Sequence, residues 1–227
     1  MKITHIDHAC FIIETKGLTI VTDPYSTDIN GAIRRNKTLF APDYVLITHG
    51  HGDHLGCLAD IAGADTKVVT VVELASLLSK QRYDPIGMNL GGEINSGGVC
   101  VAMVKAEHTG GYEFKGQSYY AGIACGFVIS DGEHTVYFAG DTDIFGDMAL
   151  ISKYYSPDIA ILPVGGHYTM DVKKAIFACN ELIKPQILIP MHYNTFPAIR
   201  VDLSPLNTRL TDTKTVVLDN GEGETFN

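Results

Sequence analysis

The chain has 227 residues and a formal net charge of -9, with 45% hydrophobic and 19% charged residues. This composition suits a globular core and excludes a disordered chain. An acidic protein lacks the broad basic surface that binds nucleic-acid phosphates, so we expect a small-molecule substrate. The length predicts one compact domain over residues 1–227.

Six apolar runs rich in branched residues predict buried strands along the chain. They span residues 18–23, 42–49, 99–104, 136–141, 157–162 and 185–192. Each run ends in, or leads to, a residue that can bind a metal ion; in chain order these are Asp23, His49, His108, Asp141, His167 and His192. Because ligands of open α/β sheets bind beyond the carboxyl ends of strands, we expect these side chains to meet at one edge.

Helices are predicted between these strands. They cover residues 53–62, 143–155 and 172–183, with another around Leu74 to Leu78. Apolar residues recur with helical spacing through 172–183 until Pro185 ends the run. Strands dominate residues 1–25 and 118–140, and the mixture predicts an α/β fold with more than one sheet.

Three segments are predicted as loops in which substrate specificity resides, at residues 26–40, 84–98 and 109–117. The first carries the only tight basic cluster, formed by Arg34, Arg35 and Lys37. This cluster predicts a solvated surface, with a contact to a small anionic substrate as the alternative.

The run His49-Gly50-His51-Gly52-Asp53-His54 carries the strongest chemical signal. In an extended segment alternate side chains point to one side, so His49 and His51 can close on one metal ion. A helix that begins at Asp53 would turn Asp53 and His54 toward a second position. Imidazoles and carboxylates suit zinc, iron or manganese.

Four residues cannot complete two metal shells, and the other candidates follow strand ends elsewhere in the chain. His108, Asp141 and His192 are the residues that we expect to join the run. A carboxylate between two metal ions can bridge them, which suits Asp141.

Taken in order, these elements resemble the metallo-β-lactamase superfamily. The matching residues are the histidine run, His108, Gly140-Asp141-Thr142 and His192, with Asp23 at the end of an early strand. The segments His8-Ala9-Cys10-Phe11, Thr22-Asp23-Pro24 and Leu162 to His167 look most like a metal-dependent hydrolase branch that is similar to the ascorbate-6-phosphate lactonases.

The resemblance implies a four-layer αβ/βα sandwich of two mixed sheets with helices outside and metal ions at one edge. It implies one metal position formed by His49, His51 and His108, and another formed by Asp53, His54 and His192. Asp141 would bridge the two, and Asp23 would hold a ligand histidine in place.

The predicted function is hydrolysis of a small ester, lactone or phosphodiester by a hydroxide held between two divalent metal ions. Zinc is the expected metal, and the same ligands accept manganese, iron or nickel. Asp53 is predicted to accept the proton of the attacking water. His167, on a glycine turn before a helix, is predicted to contact the substrate or protonate the leaving group. His8 is predicted to border the metal cavity.

Three other functions stay open at this point. A mononuclear iron oxygenase of the persulfide dioxygenase kind would use only His49, His108 and Asp141. A nuclease would need a basic groove. A non-enzymatic protein would use the metal only to stabilise the fold, in a closed coordination shell.

The cysteine pattern predicts a cytoplasmic protein. The five cysteines include no C-x-x-C pair and most lie in apolar stretches, which predicts buried, reduced thiols. No segment resembles a secretory signal, and no apolar run approaches the roughly 20 residues that span a bilayer. The protein is therefore expected to have no membrane association, and a homo-oligomer is compatible with the sequence.

Overall fold

Two seven-stranded mixed sheets lie at the centre of the molecule. The computed structural model describes residues 1–227. The strands of the first sheet are β1 (Lys2–Asp7), β2 (Cys10–Thr15), β3 (Leu18–Thr22), β4 (Tyr44–Leu46), β5 (Lys67–Val71), β6 (Ile86–Met88) and β16 (Gly223–Thr225). Their order is β16-β1-β2-β3-β4-β5-β6, antiparallel from β16 to β3 and parallel from β3 to β6.

The second sheet has the order β15-β14-β13-β12-β11-β8-β7, in which these strands are β7 (Glu93–Ser96), β8 (Val99–Lys105), β11 (Cys125–Ser130), β12 (Thr135–Phe138), β13 (Ile159–Pro163), β14 (Ile187–Met191) and β15 (Lys214–Thr215). Strands β12 to β15 run parallel, whereas β11 is antiparallel to both of its neighbours. A separate hairpin consists of β9 (Gly111–Phe114) and β10 (Gln117–Tyr120).

Alternation along the strands divides the side chains of the second sheet between two cores. In β12, Val136 and Phe138 pack with residues of the first sheet, whereas Tyr137 packs on the helix side. The rings of Phe138 and Phe11 meet across the sheets, with centroids 6.3 Å apart. Phe11 is fully buried, and its replacement by alanine would cost about 3–5 kcal/mol.

Helices cover the outer face of each sheet. They are α1 (Ile29–Arg35), α2 (Gly52–Leu55), α3 (Leu58–Ile61), α4 (Val72–Leu78), α5 (Met148–Tyr155), α6 (Val172–Phe177) and α7 (Ser204–Arg209), with single 3-10 turns at Lys37–Leu39 and Pro197–Ile199. Helices α1 to α4 contribute to the core of the first sheet, and α5 to α7 to that of the second. This arrangement confirms the predicted α/β sandwich of two mixed sheets.

Three predicted helices differ from those observed. The predicted helix 53–62 is interrupted between α2 and α3. The segment 172–183 begins as α6 and continues as a π-helix over Ala178–Ile183, ending at Lys184 in the left-handed region. The segment 143–155 becomes helical only at Met148, because the carboxylate of Asp143 accepts the N–H of Ile144 and pairs with Lys174 instead of starting a helix.

Two segments predicted as loops contain strands. The segment 84–98 holds β6 and β7, and the segment 109–117 holds β9 and the start of β10. These strands are short, and each forms by pairing with a neighbour in space: β6 with β5, β7 with β8, and β9 with β10. Residues 26–40 contain α1 and a 3-10 turn.

The predicted convergence of strand ends is confirmed. Strands β1, β3 and β4 point in one direction within the first sheet, as do β8, β12, β13 and β14 within the second. Their carboxyl ends deliver the histidines and aspartates described below to one edge of the sandwich. No helix of the structure has both the length and the apolar character that crossing a membrane requires.

Candidate metal centre

The histidine run follows β4, and His51 has an extended backbone immediately before helix α2 begins. His49 Nε2 and His51 Nδ1 lie 2.9 Å apart, so the alternate side chains converge as predicted. Between them, a Cβ on Gly50 would lie 2.6 Å from the carbonyl oxygen of Gly111 in the β9–β10 hairpin. Gly50 is therefore required by close backbone packing, whereas Gly52 has no atom within 4 Å of such a Cβ.

Helix α2 begins at Gly52, and its first turn directs Asp53 and His54 to a second position. The possible metal ligands form three overlapping groups. Within each group, every residue offers one ligand atom, and these atoms all lie within 4.8 Å of one another. The groups are His49, His51 and His108; His8, Asp53, His54 and His192; and His49, His54 and Asp141. The structure thus brings together all seven predicted metal ligands and adds His8.

Asp141 lies between the two positions. Its Oδ2 is 3.0 Å from His192 Nε2, 3.3 Å from His54 Nε2 and 3.6 Å from His108 Nε2. The hydroxyl of Thr142, the next residue, accepts the N–H of Glu107 at 2.9 Å. This bond ties the segment of Asp141 to the segment of His108.

A buried carboxylate behind the cluster determines which nitrogen of two histidines faces the centre. Asp23 Oδ2 accepts the Thr48 hydroxyl at 2.7 Å, and His49 Nδ1 lies 3.0 Å from that hydroxyl oxygen. Because a hydroxyl has a single proton, His49 donates Nδ1–H to Thr48 and keeps the lone pair on Nε2. His54 donates Nδ1–H to the same Asp23 oxygen at 2.8 Å, so its Nε2 also faces the centre.

Burial and nearby charges set the pKa values of the clustered histidines, and these pKa values determine whether each ring is free to bind a cation. Burial holds the pKa of His49 well below its usual range, and it lowers the pKa of His51 and His108. Near neutral pH all three are the neutral imidazoles that metal binding needs. Burial would also lower the pKa of His54, but the charges of Asp141 and Asp23 outweigh it and hold this pKa well above the usual range. A proton on His54 and a metal ion therefore compete for the same place.

Several buried polar atoms in the cluster have no hydrogen-bond partner. They are Nε2 of His8, Nε2 of His54, both ring nitrogens of His192, and Oδ1 of Asp141. An unpaired buried polar group costs about 1–3 kcal/mol, and most of these atoms face the same small volume. A cation would satisfy them, so the residues present fit a metal centre.

One side of the cluster is open to solvent. The side chains of His54, His192 and Asp141 are at most 3% exposed, whereas Asp53 is 32% exposed. His108 is 14% exposed and His51 is half-buried. Structural metal sites are closed, and catalytic sites keep an open position.

His8 belongs to the cluster itself, whereas the sequence predicted only that it borders the cavity. The signal that identifies it is the one used for the other residues. His8 directly follows β1, whose carboxyl end lies at the same edge as those of β3 and β4.

His167 lies outside the cluster. It is exposed after β13, its ring packs edge-on against Tyr168 with centroids 4.4 Å apart, and no hydrogen bond or ion pair joins it to the cluster. The helix that follows does not support the predicted anion site, because the carboxylate of Asp171 already accepts the N–H of Lys174 at its N-terminus. The substrate or proton-transfer role of His167 stays a prediction.

The basic cluster is exposed, with Arg34 and Arg35 at the end of α1 and Lys37 in the 3-10 turn that follows. Arg35 Nη1 lies 3.5 Å from the carboxylate of Asp28, the residue that caps α1. Solvated arginines of this kind match the predicted surface, and a contact with substrate stays a prediction.

Comparison with known proteins agrees with this geometry. The family model described as the beta-lactamase superfamily domain matches residues 2–192. The chain is 39% identical over 233 residues to a UPF0173 metal-dependent hydrolase of Archaeoglobus fulgidus, covering 100% of both chains. It is 43% identical over 204 residues to a UPF0173 metal-dependent hydrolase of Carboxydothermus hydrogenoformans, covering 89% of both.

A solved structure is similar over the whole chain. Igni18, described as a novel metallo hydrolase from the hyperthermophilic archaeon Ignicoccus hospitalis, superposes with a TM-score of 0.85 at 33% identity, covering 100% of this chain and 98% of that one. The histidine run, the strand-end residues and these matches lead to one conclusion. The chain belongs to the metallo-β-lactamase superfamily, within its family of UPF0173 metal-dependent hydrolases.

Proposed function

We propose that the protein is a dinuclear metal-dependent hydrolase that acts on a small ester, lactone or phosphodiester. The observation that carries the proposal is a cluster of convergent ligands that is buried on one side and open on the other, at Asp53, His51 and His108. A substrate can reach this open side, which is what a catalytic centre requires.

The proposed ligands divide into two sets of different charge. His49, His51 and His108 would hold one ion through neutral imidazoles, and Asp53, His54 and His192 would hold the other, with Asp141 shared. Zinc is the proposed metal, and manganese, iron and nickel are accepted by the same donor types. Two such ions supply an activated water and stabilise charge on the substrate oxygen.

Asp53 is the proposed proton acceptor. Burial would raise its pKa, but the neighbouring histidines, His54 among them, outweigh burial and keep the pKa well below the usual range. The side chain is therefore a carboxylate near neutral pH, and it is the most exposed of the clustered carboxylates. We propose that His167, on the loop after β13, contacts substrate at the rim of the site.

The alternatives are less well supported. An oxygenase that uses only His49, His108 and Asp141 leaves the second group, formed by His8, Asp53, His54 and His192, unexplained. A nuclease needs free cations near the site, yet Lys105 and Lys174 are paired with carboxylates. A metal that only stabilises the fold would not need the open side.

The free cysteines support a reducing compartment. Four of the five thiols are buried, Cys100 is partly exposed, and none forms a disulfide. We propose a cytoplasmic location on this ground.

The test is a hydrolysis screen against generic esters, lactones and bis-phosphodiesters, with and without a chelator. We expect turnover of one class, its loss in chelator, and its return when zinc or manganese is added. His51→Ala should abolish the same turnover, whereas His134→Ala should not. His134 is a matched control because its ring is paired with Asp158, outside the cluster. Chelator-resistant turnover in both variants would overturn the proposal.

A further inference from the structure

His8 is held in place by its backbone. It occupies the tight turn between β1 and β2 with a φ of 55°, in the left-handed region that few residues other than glycine, asparagine, aspartate and histidine adopt. Its carbonyl oxygen accepts the N–H of His192 at 3.1 Å. The turn after β1 is thereby fastened directly to a proposed ligand at the end of β14.

Aromatic neighbours fix the orientation of the His8 ring. It packs on His192 with centroids 4.0 Å apart, and the rings of Phe196 and Tyr25 meet it edge-on at 5.3 Å and 5.7 Å. The side chain is 0% exposed. Because these contacts restrict the rotation of the ring, each ring nitrogen faces a fixed set of neighbouring atoms.

The Nδ1 side of the ring faces a hydroxyl. Thr195 Oγ1 lies 3.0 Å from His8 Nδ1, a separation at which the ring N–H can donate to the hydroxyl oxygen. A His8 ring that donates Nδ1–H to Thr195 keeps a lone pair on Nε2. Ligand histidines commonly donate their other ring N–H to an oxygen in this way.

The Nε2 side faces the cluster. His8 Nε2 is buried without a hydrogen-bond partner and lies 3.4 Å from Asp53 Oδ2. Hydrogen bonds from N–H to oxygen usually measure 2.7–3.2 Å. Neighbouring ligands of one metal ion, with bonds of 2.0–2.1 Å, lie about 3–3.5 Å apart. The observed separation therefore matches two ligands of a common ion better than it matches a hydrogen bond.

We propose that His8 is a fourth protein ligand of the metal position formed by Asp53, His54 and His192, an inference that rests on the proposed metal centre. The two positions are then unequal. The position of His49, His51 and His108 has three histidine ligands of its own, whereas the position that includes His8 has four protein ligands of its own. The position with more protein ligands should bind its metal ion more tightly and release it last.

The direct test uses wild-type protein labelled with ¹⁵N in its histidines and loaded with ¹¹³Cd²⁺. Coupling between cadmium and nitrogen identifies each ligand ring. We expect coupling at His8 Nε2 and at the five histidines of the proposed centre, and none at His5 or His134. Coupling at those five without His8 would overturn this inference and leave the centre standing. Absence of coupling at every histidine would overturn the centre itself.

Variants provide a second measurement through Zn²⁺ titration against a competing chelator. In His8→Asn, asparagine tolerates the positive φ, and we expect one of the two zinc equivalents to weaken by about 10-fold or more. Thr195→Val, which leaves His8 in place, should weaken the same equivalent by about 10-fold. His134→Asn should change neither. Two unchanged affinities in both His8→Asn and Thr195→Val would overturn the role of His8.

Discussion

Asp23 Oδ2 lies 2.8 Å from His54 Nδ1, and the same oxygen accepts the Thr48 hydroxyl that His49 contacts. One buried carboxylate therefore orients a histidine of each proposed metal position. Asp23→Asn should weaken both metal equivalents by about 10- to 100-fold. His54 loses the carboxylate that accepts its Nδ1–H, and the Thr48 hydroxyl loses the carboxylate acceptor that leaves its oxygen free to accept from His49. Competition with a coloured chelator measures the two affinities.

A variant of Thr48 separates the effect of Asp23 on His49 from its effect on His54. Thr48→Val removes the hydroxyl between Asp23 and His49 but keeps the bond from Asp23 to His54. It should weaken only the position of His49, and Thr48→Ser should restore it. Equal weakening of both positions in Thr48→Val would contradict this account of the hydrogen bonds.

Neighbouring aspartates provide a matched pair for the bridging role. Asp141 is buried among three histidines, whereas Asp143 is exposed in part and paired with Lys174. Asp141→Asn should reduce turnover by more than about 100-fold and lower the metal content. Asp143→Asn should change turnover by less than about twofold, since such exposed pairs contribute about 0–1 kcal/mol. Similar losses in both variants would argue against a bridging Asp141.

Two glycines with positive φ test the packing around the site. Gly17 has a φ of +78° and no atom within 4 Å of the place that a Cβ would take, whereas a Cβ on Gly140, at φ +61°, would lie 2.7 Å from Thr48 Cγ2. Gly17→Ala should cost about 1–2 kcal/mol from backbone strain alone. Gly140→Ala should cost about 1–3 kcal/mol more from overpacking. Urea unfolding measures both, and equal costs would contradict the packing argument.

A pH-dependent contribution to stability lies far from the centre, at Asp131. Burial would raise its pKa, but hydrogen bonds from His134 N–H, the Thr15 hydroxyl and Glu133 N–H hold it at about 2. Because the folded pKa lies below the unfolded value of 3.8, this carboxylate stabilises the fold above about pH 4. That contribution is lost as the pH falls toward about 2.

Between about pH 5 and pH 3, the free energy of unfolding of the wild type should fall by about 1 kcal/mol more than that of Asp131→Asn. Denaturant titrations at the two pH values give this difference. Parallel losses in the two proteins would show that Asp131 has no such role.

The sequence predicted the structure best where an apolar strand pattern ends in a residue that can bind a metal ion. The buried strands that carry His49, Asp141 and His192 are short branched runs, and their parallel arrangement places their ends together. The strands at Ile86–Met88 and Gly111–Phe114 escaped prediction because they form by pairing with partners in space, which overrides weak local propensity. The same limit applies to the π-helical end of the segment 172–183.

The site residues also divide into those whose position follows from local sequence and those whose position depends on distant contacts. The alternating histidines predicted their own convergence, since side-chain direction in an extended segment is a local property. The end of β1 places His8 at the same edge of the sandwich, but its place among the ligands depends on a backbone hydrogen bond from His192 and on three aromatic neighbours. A single sequence displays neither. The substrate loops and the single-domain boundary at residues 1–227 stay predictions.

The most direct test of the dinuclear centre is the number of metal ions bound per folded chain. Protein purified without added metal, equilibrated with excess Zn²⁺ and then desalted, should contain about two equivalents by elemental analysis, and the His51→Ala variant should contain about one. A single equivalent of iron in the wild type, with oxygen consumption and no hydrolysis, would contradict the two-metal account and favour the oxygenase.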